Sequence, residues 1–92
     1  MAGGGGLTQF EVMVEVRLRP GIADPQGATI ERALPALGVS GVSGVSVGKA
    51  FRFRVEATSD AEAIEHADDL AGRLLANPVI EVATVSIVGD RP

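Results

Sequence analysis

Between Phe10 and Leu18 apolar and polar positions alternate: Phe10, Val12, Val14, Val16 and Leu18 fall on one side, Glu11, Met13, Glu15 and Arg17 on the other. A period of two is that of a β-strand with one buried face. The run ends at Arg19-Pro20-Gly21, and Asp24-Pro25 then offers a capping carboxylate ahead of a proline suited to the first helical position. From there Ile30, Ala33, Leu34 and Leu37 recur at helical spacing, with Gly38 placed to end the helix in a left-handed conformation. Pro35 lies inside that pattern, removes one backbone donor and crowds the Glu31 carbonyl, so the last turn is expected to kink or loosen.

Residues 39–48 carry a short Gly-Val-Ser repetition with valines at strand spacing, which predicts a glycine-softened edge strand. Gly48-Lys49 then reads as a turn into a third strand over 50–57, with Phe51, Phe53, Val55 and Ala57 inward and Arg52, Arg54 and Glu56 outward. Ser59 followed by Glu62 fits a capping box, and Ala63, Ile64, Ala67, Leu70, Ala71 and Leu74 make the stripe of a second helix. Asn77-Pro78 stops it, and 79–88 return to strand-forming residues.

The order βαββαβ predicts an α+β fold of the ferredoxin-like kind. It is a two-layer sandwich with two helices on one face of an antiparallel four-stranded sheet, the first and third strands central, because each crossover is right-handed. The expected boundaries are a flexible glycine-rich leader over 1–9, one domain over 10–88 and a polar tail over 89–92. On the uncovered sheet face, Glu11, Glu15 and Arg17 would lie beside Arg52, Arg54 and Glu56, with Met13, Ile80 and Val82 adding apolar area.

Composition narrows the function. The chain has 92 residues, 46% of them hydrophobic, and phenylalanine is its only aromatic, so the core must be aliphatic. A domain of this size buries roughly 60 to 65% of its unfolded surface, and further burial against a partner would help it. A formal charge of -4 argues against a nucleic-acid partner, which needs a dense basic patch. Cysteine is absent, which removes disulfides and thiolate chemistry. No stretch is long and apolar enough to span a bilayer and no secretory signal is present, so the expected setting is the cytoplasm, without membrane contact.

Catalytic constellations are missing. His66, the single histidine, falls midway along the second helix with Glu62 and Asp69 one turn away, a pattern of solvated surface. Glu65, Asp68 and Asp69 do not converge with it on a metal. Neither glycine-rich phosphate motif occurs, and Gly48-Lys49 precedes a strand pattern where a phosphate loop would open a helix. An RNA-recognition domain of the same element order needs exposed aromatics, whereas Glu and Arg stand at those positions. An acylphosphatase-like loop needs backbone amides after the first strand, and Pro20 removes one. No catalytic residue, metal or bound cofactor is expected on this chain.

Four segments carry a more particular signal: Leu18-Arg19-Pro20-Gly21 with Asp24-Pro25-Gln26-Gly27, Arg32-Ala33-Leu34 with Leu37-Gly38, Val45 to Lys49, and Leu74 to Glu81. In this order and at this spacing they resemble the PurS family, the small subunit of the multi-chain phosphoribosylformylglycinamidine synthase of purine biosynthesis. The resemblance implies a non-catalytic chain that joins a synthetase subunit to a glutaminase subunit and assists ammonia transfer, with ATP and magnesium bound by the synthetase. It also agrees with a homodimer or a dimer of dimers, expected from the small size and the partly apolar sheet face. The candidate partner contacts are Asp24, Gly27, Gly48, Lys49, Asn77 and Pro78. Most of these also read as helix starts, stops or turns, whereas Gly27, costly in a first helical turn, points to close approach of another backbone. The alternative function is a stand-alone ACT-like module that binds a small metabolite between paired domains.

Overall fold

In the computed structural model, which describes residues 6–91, three strands and two helices follow in the order β1 (Thr8–Leu18), α1 (Pro25–Ala33), β2 (Lys49–Ala57), α2 (Asp60–Leu70) and β3 (Glu81–Arg91). The strands form one antiparallel sheet in the order β2-β1-β3. The class is α+β, as the alternation of patterns requires, with three strands where four were expected. β1 is central, and the strand taken as its central neighbour, β2, is an edge.

The missing strand has a local cause. Gly41 and Gly44 sit at φ +81 and +69, left-handed backbone that breaks a ladder at two places within 39–48. The amides of Val45 and Val47, which a ladder would use, donate instead to the carboxylates of Glu31 and Asp24. Gly48-Lys49 is accordingly no hairpin turn, because Lys49 already opens β2 opposite Val16.

The ladder also reaches further than the expected domain limits. Gln9 pairs with Arg91, so Thr8 and Gln9 belong to β1 and 89–91 to β3 rather than to a leader and a tail. The expected leader over 1–5, like Pro92, lies outside the described residues.

The core lies between the sheet and α2. Phe10, Val12, Val14 and Val16 of β1 are buried against Ala57, Ala63, Ala67 and Ala71, with Phe51, Phe53, Val55, Ala83, Val85 and Ile87 half-buried around them. Alanine at each buried position of α2 brings the helix close to the sheet. Ser59 Oγ caps α2 by accepting from the Glu62 amide at 3.2 Å, and Glu62 reaches back to the Thr58 amide at 2.7 Å, one residue beyond the Ser59 amide that a capping box would use. The larger members of the expected stripe, Ile64, Leu70 and Leu74, are exposed. A π-turn over Ala71–Leu75, closed by the Ala76 amide on the Ala71 carbonyl at 2.9 Å, turns Leu74 outward and Leu75 inward.

α1 departs from expectation. It ends at Ala33, Pro35 starts a 3-10 turn over Pro35–Leu37, and Gly38 closes that turn at φ +75. The helix does not cover the sheet beside α2: only Gly27 is buried in it, and Ile30 and Leu37 of the expected inner stripe are exposed. On the open face of the sheet the expected charge pairing between β1 and β2 is met at Glu11, 3.3 Å from Arg52, whereas Glu15 stands opposite Ala50 and Arg17 turns to Glu15 of its own strand at 3.4 Å and to the Thr84 hydroxyl of β3 at 3.2 Å.

Candidate functional site

The end of the sheet where β1 stops is where β2 and β3 begin, since Lys49 pairs with Val16 and Glu81 with Leu18. That register brings together 18–21 and the neighbouring 24–27 with two segments from far along the chain, 45–49 and 77–81. A cleft of about 440 Å³ is lined there by Leu18, Asp24, Gln26, Gly48, Lys49 and Glu81 among others.

Asp24 is the anchor of one side. One carboxylate oxygen accepts from the Gly27 amide at 2.9 Å, the N-cap bond of α1, and the other accepts from the Val47 amide at 2.9 Å. Those two bonds, Gly27 first, hold the carboxyl below its ordinary value. Gly27 is buried because a Cβ there would run into the Val45 carbonyl oxygen and the Asp24 carboxylate. The close backbone approach expected of Gly27 is thus made by the chain itself. Gly48 has the same kind of reason, as a Cβ would stand 2.6 Å from the Val16 carbonyl oxygen.

Glu81 organises the other side. It accepts from the Asn77 amide at 2.7 Å through one oxygen and faces the Lys49 ammonium at 3.9 Å through the other. Asn77 Oδ1 accepts from the Val79 amide at 3.0 Å, a local turn that stops the chain after α2. The Pro78 carbonyl accepts two bonds from the Arg19 guanidinium, at 3.1 and 2.8 Å, and the Arg19 amide donates to the Ile80 carbonyl at 2.8 Å. The turn so held displays Val79, 79% exposed.

All six candidate contact residues therefore stand at one end of the sheet. Asp24, Gly27 and Gly48 shape the backbone there, Lys49 and Asn77 meet through Glu81, and Pro78 is held by Arg19. Arg19, Glu31 and Glu81 were not singled out from the sequence. Arg19 and Glu81 fall inside the motif segments, but their partners become neighbours only through the strand register.

Chemically the cleft is a holding surface. Both oxygens of Asp24 and of Glu81 are engaged, so neither carboxylate is a free base. His66 lies on the exposed side of α2 and does not line the cleft. Among the described residues no group of three or more His, Asp or Glu is placed to hold a metal, and no helix is long and apolar enough to cross a membrane.

The family profile for PurS, described as phosphoribosylformylglycinamidine (FGAM) synthase, matches residues 11–89. The phosphoribosylformylglycinamidine synthase subunit PurS of Synechocystis sp. is 39% identical over 72 residues, 78% of this chain and 72% of that one. The subunit of the same name from Archaeoglobus fulgidus is 43% identical over 68 residues, 74% of this chain and 85% of its own. Among solved structures, the PurS subunit of Thermotoga maritima superposes with a TM-score of 0.83 at 32% identity, covering 90% of this chain and 95% of that one. A chain in the structure of PurLQS from the same organism gives 0.80 at 32% identity, covering 87% and 98%. With a match across nearly the whole described fold, including all four segments that meet at the cleft, this chain belongs to the PurS family of phosphoribosylformylglycinamidine synthase subunits.

Proposed function

We infer that this chain is the small, non-catalytic subunit of phosphoribosylformylglycinamidine synthase in purine biosynthesis, and that it joins a synthetase subunit to a glutaminase subunit and assists ammonia transfer between them. The observation that carries this reading is the convergence of three of the family's four motif segments, those at 18–27, 45–49 and 74–81, on a surface whose charged groups are engaged with backbone or with one another rather than free for a reaction. PurLQS of Thermotoga maritima supplies the precedent for such an assembly. ATP and magnesium belong, in this reading, to the synthetase subunit, and the complex works in the cytoplasm. The chain itself associates as a homodimer or a dimer of dimers.

The test is reconstitution. Purified synthetase and glutaminase subunits are expected to make formylglycinamidine ribonucleotide from glutamine only when this chain is added. Full glutamine-dependent activity without it would end the reading.

A further inference from the structure

The chain leaving α2 presents two bare apolar side chains. Leu74 is 74% exposed and Val79 79%, and among the described residues only Leu37 is as bare for its size. One exposed leucine is ordinary on a protein surface. Here, however, local structure is organised around the display of both. Continued as an α-helix, the buried side marked by Ala63, Ala67 and Ala71 would take Leu74 inward. The π-turn over Ala71–Leu75, a rare geometry that collects at functional sites, turns it out and packs Leu75 against the core instead. Val79 stands in a turn fixed at three backbone points. Its own amide donates to Asn77 Oδ1 at 3.0 Å, the Pro78 carbonyl accepts from the Arg19 guanidinium, and the Asn77 amide donates to Glu81 at 2.7 Å. A side chain on backbone already ordered loses less entropy on being covered than one on a loose loop.

The helix that leads into this turn is acidic on its outer side. Glu65, Asp68 and Asp69 are exposed there, opposite the buried Ala63 and Ala67, and Arg73 neutralises only Asp69, at 3.2 Å. A surface that covers Leu74 and Val79 and also approaches α2 must therefore be apolar where it meets the two side chains and basic beside them. A second copy of this chain does not fit that description, because a two-fold contact through this face would bring two acidic helices into one interface.

We propose that Leu74 and Val79 enter an apolar socket, bordered by lysine or arginine, on a subunit of the synthase that this chain joins, with the acidic side of α2 steering the approach. The π-turn and the Arg19 clamp are then the devices that hold the two anchors out in advance. The inference deepens the joining role in the reading above and rests on it.

The full chain is titrated calorimetrically against the purified synthetase subunit, the purified glutaminase subunit and the two together, at low and at high salt. Leu74→Asp and Val79→Asp are each expected to weaken binding by about tenfold or more. The double variant Glu65→Lys with Asp68→Lys should bind more weakly at low salt and lose most of the salt dependence. Circular dichroism and light scattering should show fold and oligomeric state unchanged in all three. If the unsubstituted chain binds neither subunit nor the pair, the joining role falls and this surface with it. If it binds and either aspartate variant keeps full affinity, the socket is overturned and the joining role stands. Weakened binding that comes with an altered oligomeric state also overturns it, since the turn would then serve contacts between copies. An unchanged salt dependence in the lysine variant overturns the basic border.

Discussion

The Asp24 carboxylate meets the Val47 amide at 2.9 Å across 23 positions of sequence while capping α1 through the Gly27 amide with its other oxygen. One side chain thus fixes both where the helix starts and where the chain returns to the sheet. The orientation of everything between 25 and 47 is set at that root, together with the Glu31 bond to Val45.

Asp24→Ala should release both amides. Hydrogen exchange at Gly27 and Val47 is expected to accelerate together, and the amides of β1 to remain as protected as before. Asp24→Asn keeps one acceptor oxygen but places an amide donor where the other stood, so one of the two amides should stay protected. Unchanged exchange at both positions in Asp24→Ala would show that the carboxylate does not hold the segment over 25–47.

The two close-approach glycines differ from a third that is free. A methyl group at Gly27 meets the Val45 carbonyl, and one at Gly48 meets the Val16 carbonyl, so each alanine substitution should destabilise by about 1 to 3 kcal/mol through overpacking. At Gly72, in the π-turn, a methyl group meets nothing within 4 Å, and Gly72→Ala should be neutral or stabilise by roughly 0.5 to 1 kcal/mol. Urea unfolding of the three variants checks the order, and equal effects would remove the steric argument.

How much of this was legible beforehand depends on which interactions were local. The β1 alternation placed Phe10, Val12, Val14 and Val16 in the core correctly, because a strand with one fully covered face writes that face into every second residue. The Ser59 cap was readable for the same reason, as its partner is three residues away. The 39–48 segment was misread because valine spacing says nothing about glycine dihedrals, and because Asp24 and Glu31 capture its amides from a distance. The α1 stripe was found where it is, but periodicity identifies which residues share a face and not what that face meets. The motif segments of the candidate site were visible as strings, while their meeting point depends on the Leu18 to Glu81 and Val16 to Lys49 register.

Arg19 clamps the turn after α2 by two hydrogen bonds to the Pro78 carbonyl. Both are solvent-exposed, so Arg19→Ala should cost only about 1 kcal/mol in global stability. Its larger effect should be local, with faster hydrogen exchange at Ile80 and Glu81. Arg19→Lys should not restore protection, since a single ammonium does not reproduce the guanidinium fork. Protection restored by lysine would mean that charge, and not the two-donor geometry, holds the turn.

The acid limb of stability should belong to Asp24 and Glu62. Asp24 is held below its ordinary value of 3.8 by the Gly27 and Val47 amides, and Glu62 below its ordinary value of 4.5 chiefly by the Thr58 amide, with smaller help from the Thr58 hydroxyl and His66. A carboxyl whose folded value is depressed binds its proton more readily in the unfolded chain, so it stabilises the fold above the unfolded value and loses that contribution as pH falls through the folded one. For these two groups stability should be level above about pH 5 and should decline from near 4.5 downward, Glu62 first and Asp24 after it. The double variant Asp24→Asn with Glu62→Gln cannot titrate at either position. It should start less stable at pH 7 and lose less on acidification, so that the two curves of unfolding midpoint against pH converge once the pH has fallen through the depressed folded values of both groups. Parallel curves across that range would show that neither carboxylate contributes through its charged form.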